Sequence, residues 1–365
     1  VSGAAATQLR SWLPIAAAAR REAADGSEAR LRLVVGFEPR WYHVRCGVEF
    51  TERWHTDAEH RRQTLIAMRN ELRRAFPAIA QWSGPEARDV ETIAGCYGVC
   101  VIPGIFGIPL RYYADRWPDL EPGHHLSDEQ VERLDARELL AGPFVERLLA
   151  QVDQIASRYG TVYGDLNWQG VLNLAFHLRG QQIFLDIADK PEMAALLFGV
   201  ITDVIIELAH MVQERQRRSG FDIDYMCVSN CTVNMVSPAT YGRMLLEHDA
   251  RIAQSFERFG VHTCNWNVTP YLNVLRKLPK MGYLDMGIES DLAQARELFP
   301  ETRRAVLYTP GKAATGAAED VRADFERIAR ELAPCDLVLA DLPWDTSDER
   351  VRWLDNLARE LSDQR

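Results

Sequence analysis

Positive charge is in deficit in this chain: 42 Lys and Arg stand against 52 Asp and Glu, a net charge of −10 with His neutral. A protein whose main task is to hold a nucleic-acid backbone carries a basic face, so the balance argues against that class. No run reaches the roughly 18 apolar residues of a membrane span. The Ala-rich stretch 15–19 is broken by Arg20 and Arg21, so neither a span nor a secretion signal is expected. The seven cysteines, at 46, 96, 100, 227, 231, 264 and 335, are odd in number and thinly spread. A disulfide scaffold has a dense, even set, so a reducing cytoplasm is the expected home. Past the first thirty residues there is no Gly/Ser/Pro-rich linker, low-complexity tract or repeat. What is present, 47% hydrophobic and 26% charged residues, is the material of an ordinary globular core.

Short runs rich in Val, Ile, Leu and Tyr alternate with amphipathic segments of helical period. Strands are expected at 33–37, 98–105, 161–165, 225–230, 260–265, 283–288, 305–308 and 337–341. Helices are expected at 57–75, 127–158, 190–219, 237–259, 290–299 and 318–332. Eight strands is the number of an α/β barrel. The expected fold is therefore a single (β/α)8 TIM barrel over 31–365, with residues 1–30 as an extra N-terminal helical segment outside it. Barrel enzymes place their chemistry at the C-terminal strand ends, so polar residues there are the first candidates.

The sharpest feature of this kind is Gly260-Val261-His262-Thr263-Cys264-Asn265-Trp266-Asn267. On a strand, His262 and Cys264 are two apart and share a side. An imidazole and a thiolate at one strand end make half of a tetrahedral zinc site. Packing of both in the barrel interior is the alternative, since zinc patterns need more ligands than two.

Several segments together resemble the uroporphyrinogen decarboxylase-like superfamily, and within it the zinc-dependent methyltransferases that act on methyl-corrinoid proteins. The stretch from Gly47 to Asp57, with Arg61, Arg62 and Phe76-Pro77 following, is similar to the opening of divergent members. Leu178-Arg179-Gly180, Phe184-Leu185-Asp186 and Asp189-Lys190-Pro191-Glu192 resemble the family's middle helix, its Arg-Gly turn and its Asp-x-Pro-Glu helix start. Ser237-Pro238-Ala239-Thr240-Tyr241 resembles the Ser-Pro-x-x-Tyr after the fourth strand. His262-Thr263-Cys264 falls at the methyltransferases' His-x-Cys, and the run from Ser290 to Arg296 resembles their Asp-Leu-x-x-Ala-Arg helix. The likeness runs from about residue 35 to the end.

Two departures follow from the comparison. The decarboxylases' Arg-Gln-Ala-Gly-Arg segment has no counterpart, because the region reads Phe37-Glu38-Pro39-Arg40-Trp41-Tyr42. A many-carboxylate tetrapyrrole needs several Arg at the mouth, so porphyrinogen decarboxylation is disfavoured. The methyltransferases' third zinc ligand is a Cys just after the last strand, and here no Cys stands there. Cys335 precedes that strand, and six residues at about 3.3 Å each put it roughly 20 Å from the far end. Asp341 occupies the right end and a carboxylate is an acceptable zinc ligand, so the expected metal set is His262, Cys264 and Asp341, with Cys231, Asp285 and Glu289 as alternates.

The resemblance places a substrate pocket at Tyr163-Gly164-Asp165-Leu166-Asn167-Trp168-Gln169. Asp165, Tyr163 and Asn167 are the catalytic candidates there. Trp168, Gln169, Asn230, Asn234, Trp266 and Lys312 are the substrate-binding candidates. A turn of self-capping residues is the other reading of 163–170, and an exposed surface Lys the other reading of Lys312, whose Thr309-Pro310-Gly311-Lys312 lacks P-loop spacing. His124-His125 is assigned to a surface loop, and His55 and His60 to solvated or capping positions.

The implied activity is a zinc-dependent methyl or alkyl transferase. It would move a methyl group between a corrinoid protein and a small thiol or folate acceptor, with zinc in the chain and the corrinoid on a partner. A carboxy-lyase of a smaller carboxylate, and a barrel that binds a corrinoid or partner without catalysis, are the alternatives. Neither nucleic acid nor membrane is expected as a partner, and the sequence leaves the oligomeric state open.

Overall fold

A computed structural model describes residues 24, 26, 28–79, 82, 90 and 92–363. The expected helical segment at 1–30 lies almost wholly outside them. Six strands form one parallel sheet: β1 (Leu31–Phe37), β2 (Tyr225–Ser229), β3 (Arg258–His262), β4 (Met281–Gly287), β5 (Arg303–Leu307) and β6 (Cys335–Leu342). Their order is β1-β6-β5-β4-β3-β2, with every pair parallel. The strands are near-continuous apolar runs because helices cover the outer face and side chains fill the inner one. At the N-terminal rim the buried Asp336 bonds Arg32 of β1 at 2.6 Å and Arg303 of β5 at 2.9 Å, clamping three neighbouring strands. The charges compensate one another, which a buried carboxylate requires.

The sheet does not close into an eight-stranded barrel. The expected strand 98–105 is a 3-10 turn, Gly98–Cys100, running into a short helix, Val101–Ile105. Pro103 has no N–H for a ladder, and Gly104 is there because a Cβ would meet the Phe144 ring at 2.5 Å. The expected strand 161–165 is irregular. The chain beyond it lies beside β2 through one parallel bridge, Gln169 to Ser229, with Ser229 N donating to Trp168 O at 2.9 Å and Gly170 N to Ser229 O at 2.8 Å.

Helical expectations hold with breaks. The stretch expected at 127–158 is three helices, Asp128–Glu132, Ala136–Leu140 and Pro143–Tyr159. The one expected at 237–259 is two, Pro238–Met244 and Leu246–Gln254, ended by β3. Pro191–Arg218 corrects the reading of apolar runs: by length and composition it could cross a membrane. Here 56% of its most apolar window is buried, packed against the helices Pro143–Tyr159, Val171–Arg179 and Leu246–Gln254.

Candidate metal centre

The centre is built where β2 and β3 end. Asn230 N donates to His262 O at 2.7 Å, so the ladder holds these two strand ends together up to the first residue of the 3-10 turn Cys231–Met235. The buried Asn230 side chain is tied away from the mouth, its Nδ2 donating to Asp249 Oδ2 at 2.7 Å, which also accepts from Tyr241 OH at 2.7 Å. Burial pushes Asp249 up to about 6, against the lowering by the Tyr241 and Asn230 hydrogen bonds. Gly170 is required beside this network, because a Cβ there would sit 1.8 Å from Asn230 Oδ1.

His262 and Cys264 do meet, though not through strand alternation. β3 ends at His262, and Cys264 has left-handed backbone, φ 61. That conformation is uncommon for a residue with a Cβ and costs of order 1 kcal/mol. It turns the chain so that Cys264 Sγ lies 3.2 Å from His262 Nε2. The intervening Thr263 is pinned to β4, its N donating to Asp285 Oδ1 and its Oγ1 to Asp285 O, both at 2.6 Å. The following loop rests on β4 at Gly287, where a Cβ would stand 2.0 Å from Asn265 O.

Cys231 completes the group. Its Sγ accepts from Cys264 Sγ at 2.7 Å, and the ligand atoms of Cys231, His262 and Cys264 all lie within 4.8 Å of one another. Asp285, wholly buried, approaches the other face of the imidazole: His262 Nδ1 is 2.6 Å from Asp285 Oδ2, which also accepts from Tyr283 OH at 3.0 Å. An Nδ1–H directed at the carboxylate leaves the Nε2 lone pair facing the two sulfurs. Two thiols and one imidazole nitrogen, with a carboxylate behind the imidazole, are a donor set that fits zinc.

The expected third ligand, Asp341, is not in this group. It is the last residue but one of β6, four strands from β2 in the sheet order, whereas Cys231 lies two residues past the end of β2, the strand next to β3. Its side chain is open to solvent though walled by protein. Burial, then repulsion from Glu38, pushes its carboxyl up to about 6, and His262 pulls the other way. Asp285 orients the imidazole from behind, and Glu289 is exposed and outside the group. Cys335 is buried at the first position of β6, the rim away from the centre.

The expected pocket at 163–170 is largely self-bonded, as its turn reading allows. Asp165 Oδ1 accepts from Leu166 N at 2.9 Å and Trp168 Nε1 at 2.6 Å, and Trp168 is buried. Asn167 Oδ1 accepts from Gln169 Nε2, Gln169 Oε1 from Asn173 Nδ2, and Asn173 Oδ1 from Thr232 N. The chain of bonds ends one residue past Cys231, so these residues support the centre. Tyr163 packs on Phe221, Asn234 is exposed, and the Trp266 ring lies edge-on to Tyr271. Lys312 pairs with Asp324 at 2.5 Å. His124 and His125 are exposed, as expected of a loop.

His55 is a correction. It is fully buried, its Nδ1 accepts from Tyr97 N at 3.0 Å, and burial with the Arg61 charge lowers its pKa to about 3. No feature of the sequence separates such a histidine from a solvated one. The residues that sequence reasoning missed altogether are Tyr283, Asp249 and the glycines at 170 and 287. Their only signal was an apolar strand or helix context.

No family model and no curated protein matches the sequence. Among solved structures, a methyltransferase from Methanosarcina mazei is 13% identical, with 92% of this chain covering 95% of that one at a TM-score of 0.64. A protein from Listeria monocytogenes described as a vitamin-B12-independent methionine synthase is 12% identical, with 60% of this chain covering 69% of that one at a TM-score of 0.36. The first of these likenesses extends over nearly the whole of both chains, and what it establishes is a shared α/β fold.

Proposed function

We propose that the protein is a zinc-dependent methyl or alkyl transferase. Its methyl group would pass between a corrinoid on a partner protein and a small thiol or folate acceptor. The observation that carries this reading is the meeting of Cys231, His262 and Cys264 at neighbouring strand ends, with Asp285 on the far imidazole nitrogen. Zinc bound by three protein ligands keeps a position for a further donor, and there it favours the thiolate form of a bound thiol at neutral pH.

The chain's own residues prepare that position. Asp285 fixes the ring plane and tautomer of His262, and Tyr283 and Thr263 hold Asp285 in turn. The left-handed turn at Cys264 and the ladder bond from Asn230 bring the two thiols in from different strands. The likeness in fold to the Methanosarcina methyltransferase accords with this reading.

The test is transfer of the methyl group from methylcobalamin to a small thiol by the zinc-loaded protein, followed by the cobalamin absorbance. Transfer that is lost in Cys264→Ala, with the fold retained by circular dichroism, supports the reading. An equal rate for parent and variant contradicts it.

A further inference from the structure

A cavity of about 310 Å³ opens between the helix Glu52–Thr56, Tyr97 and the start of the helix Pro143–Tyr159. That is the size of a small-ligand pocket. None of its walls belongs to the group of Cys231, His262 and Cys264. Ile108, Tyr112 and Phe144 make it apolar, and Tyr97, 3% exposed, sets its ring 4.8 Å from that of Phe144. Glu52 and Arg147 line the same cavity with opposite charges. Among the described residues neither is in an ion pair, with the other or with a third group. Opposite charges that share a cavity without touching leave room for a ligand that carries both.

A chain of buried polar groups ends at the Tyr97 wall. Arg61 is fully buried, and its guanidinium donates to Thr92 O at 2.7 Å, Trp54 O at 3.0 Å, His55 O at 3.1 Å and Gln151 Oε1 at 3.0 Å. No carboxylate among the described residues pairs with it, so a full positive charge is buried against neutral oxygens alone. Gln151 Nε2 passes the polarisation on, donating to Tyr97 OH at 3.4 Å. The proton of that hydroxyl has no acceptor among the described residues, and burial, which raises the group to about 12, keeps it protonated at neutral pH. Tyr97 is held in place against its own preference: its backbone is left-handed, φ 59, and its N donates to Nδ1 of the buried His55 at 3.0 Å.

An anion accepting from Tyr97 would offset the buried guanidinium and meet Arg147. A ligand with no other charge would leave Glu52 facing it unpaired, and a cation alone would leave Arg147 and Tyr97 unmet. We propose that this cavity binds a free α-amino acid with an apolar side chain, its carboxylate on Tyr97 and Arg147, its ammonium on Glu52 and its side chain against Tyr112 and Phe144. No metal ligand takes part, so the site stands apart from the transferase reading.

L-phenylalanine, 3-phenylpropionate and 2-phenylethylamine share one ring and chain length and carry both charges, the carboxylate alone and the ammonium alone. Their dissociation constants would be measured by calorimetry on the full chain. L-phenylalanine should bind about tenfold or more tighter than either analogue. Arg147→Gln and Tyr97→Phe should each weaken L-phenylalanine by about tenfold and leave 2-phenylethylamine near its parent value. Glu52→Gln should remove the preference over 3-phenylpropionate. Zinc content should match the parent in all three variants. Arg147 and Glu52 are exposed, so their replacement decides the matter even where Tyr97→Phe fails to fold. No binding of L-phenylalanine at millimolar concentration, or its undiminished affinity in either Arg147→Gln or Glu52→Gln, overturns the proposal.

Discussion

Asp285 Oδ2 lies 2.6 Å from His262 Nδ1, so the imidazole has its second nitrogen committed before any metal arrives. Removing such a partner from a metal-ligating histidine typically costs 10- to 100-fold in metal affinity, as an order of magnitude. Asp285→Asn should therefore lower zinc affinity by about that factor in a competition titration with a chromophoric chelator. Tyr283→Phe removes one donor from the same oxygen and should change affinity much less. Equal affinity in parent and Asp285→Asn would show that the carboxylate does not orient the ring.

The two thiols make a second expectation. At 2.7 Å between sulfurs, Cys231 and Cys264 are placed to form a disulfide when a peroxide accepts the two electrons and both protons are lost. Metal-free protein treated with hydrogen peroxide should lose two hydrogens in intact mass and give a peptide joining the two cysteines, while zinc-loaded protein should resist. Cys231→Ser should abolish the cross-link.

Gly260 in β3 tests the packing beneath the centre. A Cβ there would stand 2.0 Å from Tyr225 OH and 3.0 Å from Tyr283 Cβ. Gly260→Ala should destabilise by about 1 to 3 kcal/mol in urea unfolding. Adding Tyr225→Phe removes the clashing oxygen and should recover part of the loss. Full additivity of the two changes would mean that they do not touch.

Asp249 gives a pH dependence with a definite sign. Its carboxyl is raised from the usual 3.8 to about 6, mainly by burial. The folded state therefore binds the proton more tightly, and stability falls as pH rises through this window. Asp249→Asn carries no such penalty and can still accept from Tyr241 and Asn230. Its stability relative to the parent should rise by about 2 kcal/mol between pH 4 and pH 7. A constant difference across that range would contradict the assigned cause.

Much of this arrangement was legible in the sequence, and the failures have physical causes. The six sheet strands were found because a parallel sheet covered by helices makes each of them an apolar run. The same signal misassigned 98–105, since a short apolar run reads alike in a strand and a buried helix, and Pro103-Gly104 was the overlooked mark. His262 and Cys264 were identified from their spacing, yet their contact depends on a left-handed residue that the spacing does not encode. Cys231 remained one alternate among three because a third donor depends on which strand ends are neighbours, and the spacing along the chain does not encode that the strand beside β3 is β2 rather than β6.

Metal content decides whether Cys231, His262 and Cys264 form a zinc centre, measured by elemental analysis of protein purified without chelator and loaded with zinc, then dialysed. About one zinc per chain is expected in the parent, in Asp341→Ala and in Cys335→Ser, and little or none in Cys231→Ala and Cys264→Ala, all with native circular dichroism. No zinc in the parent, or zinc kept by Cys231→Ala and lost by Asp341→Ala, would contradict it.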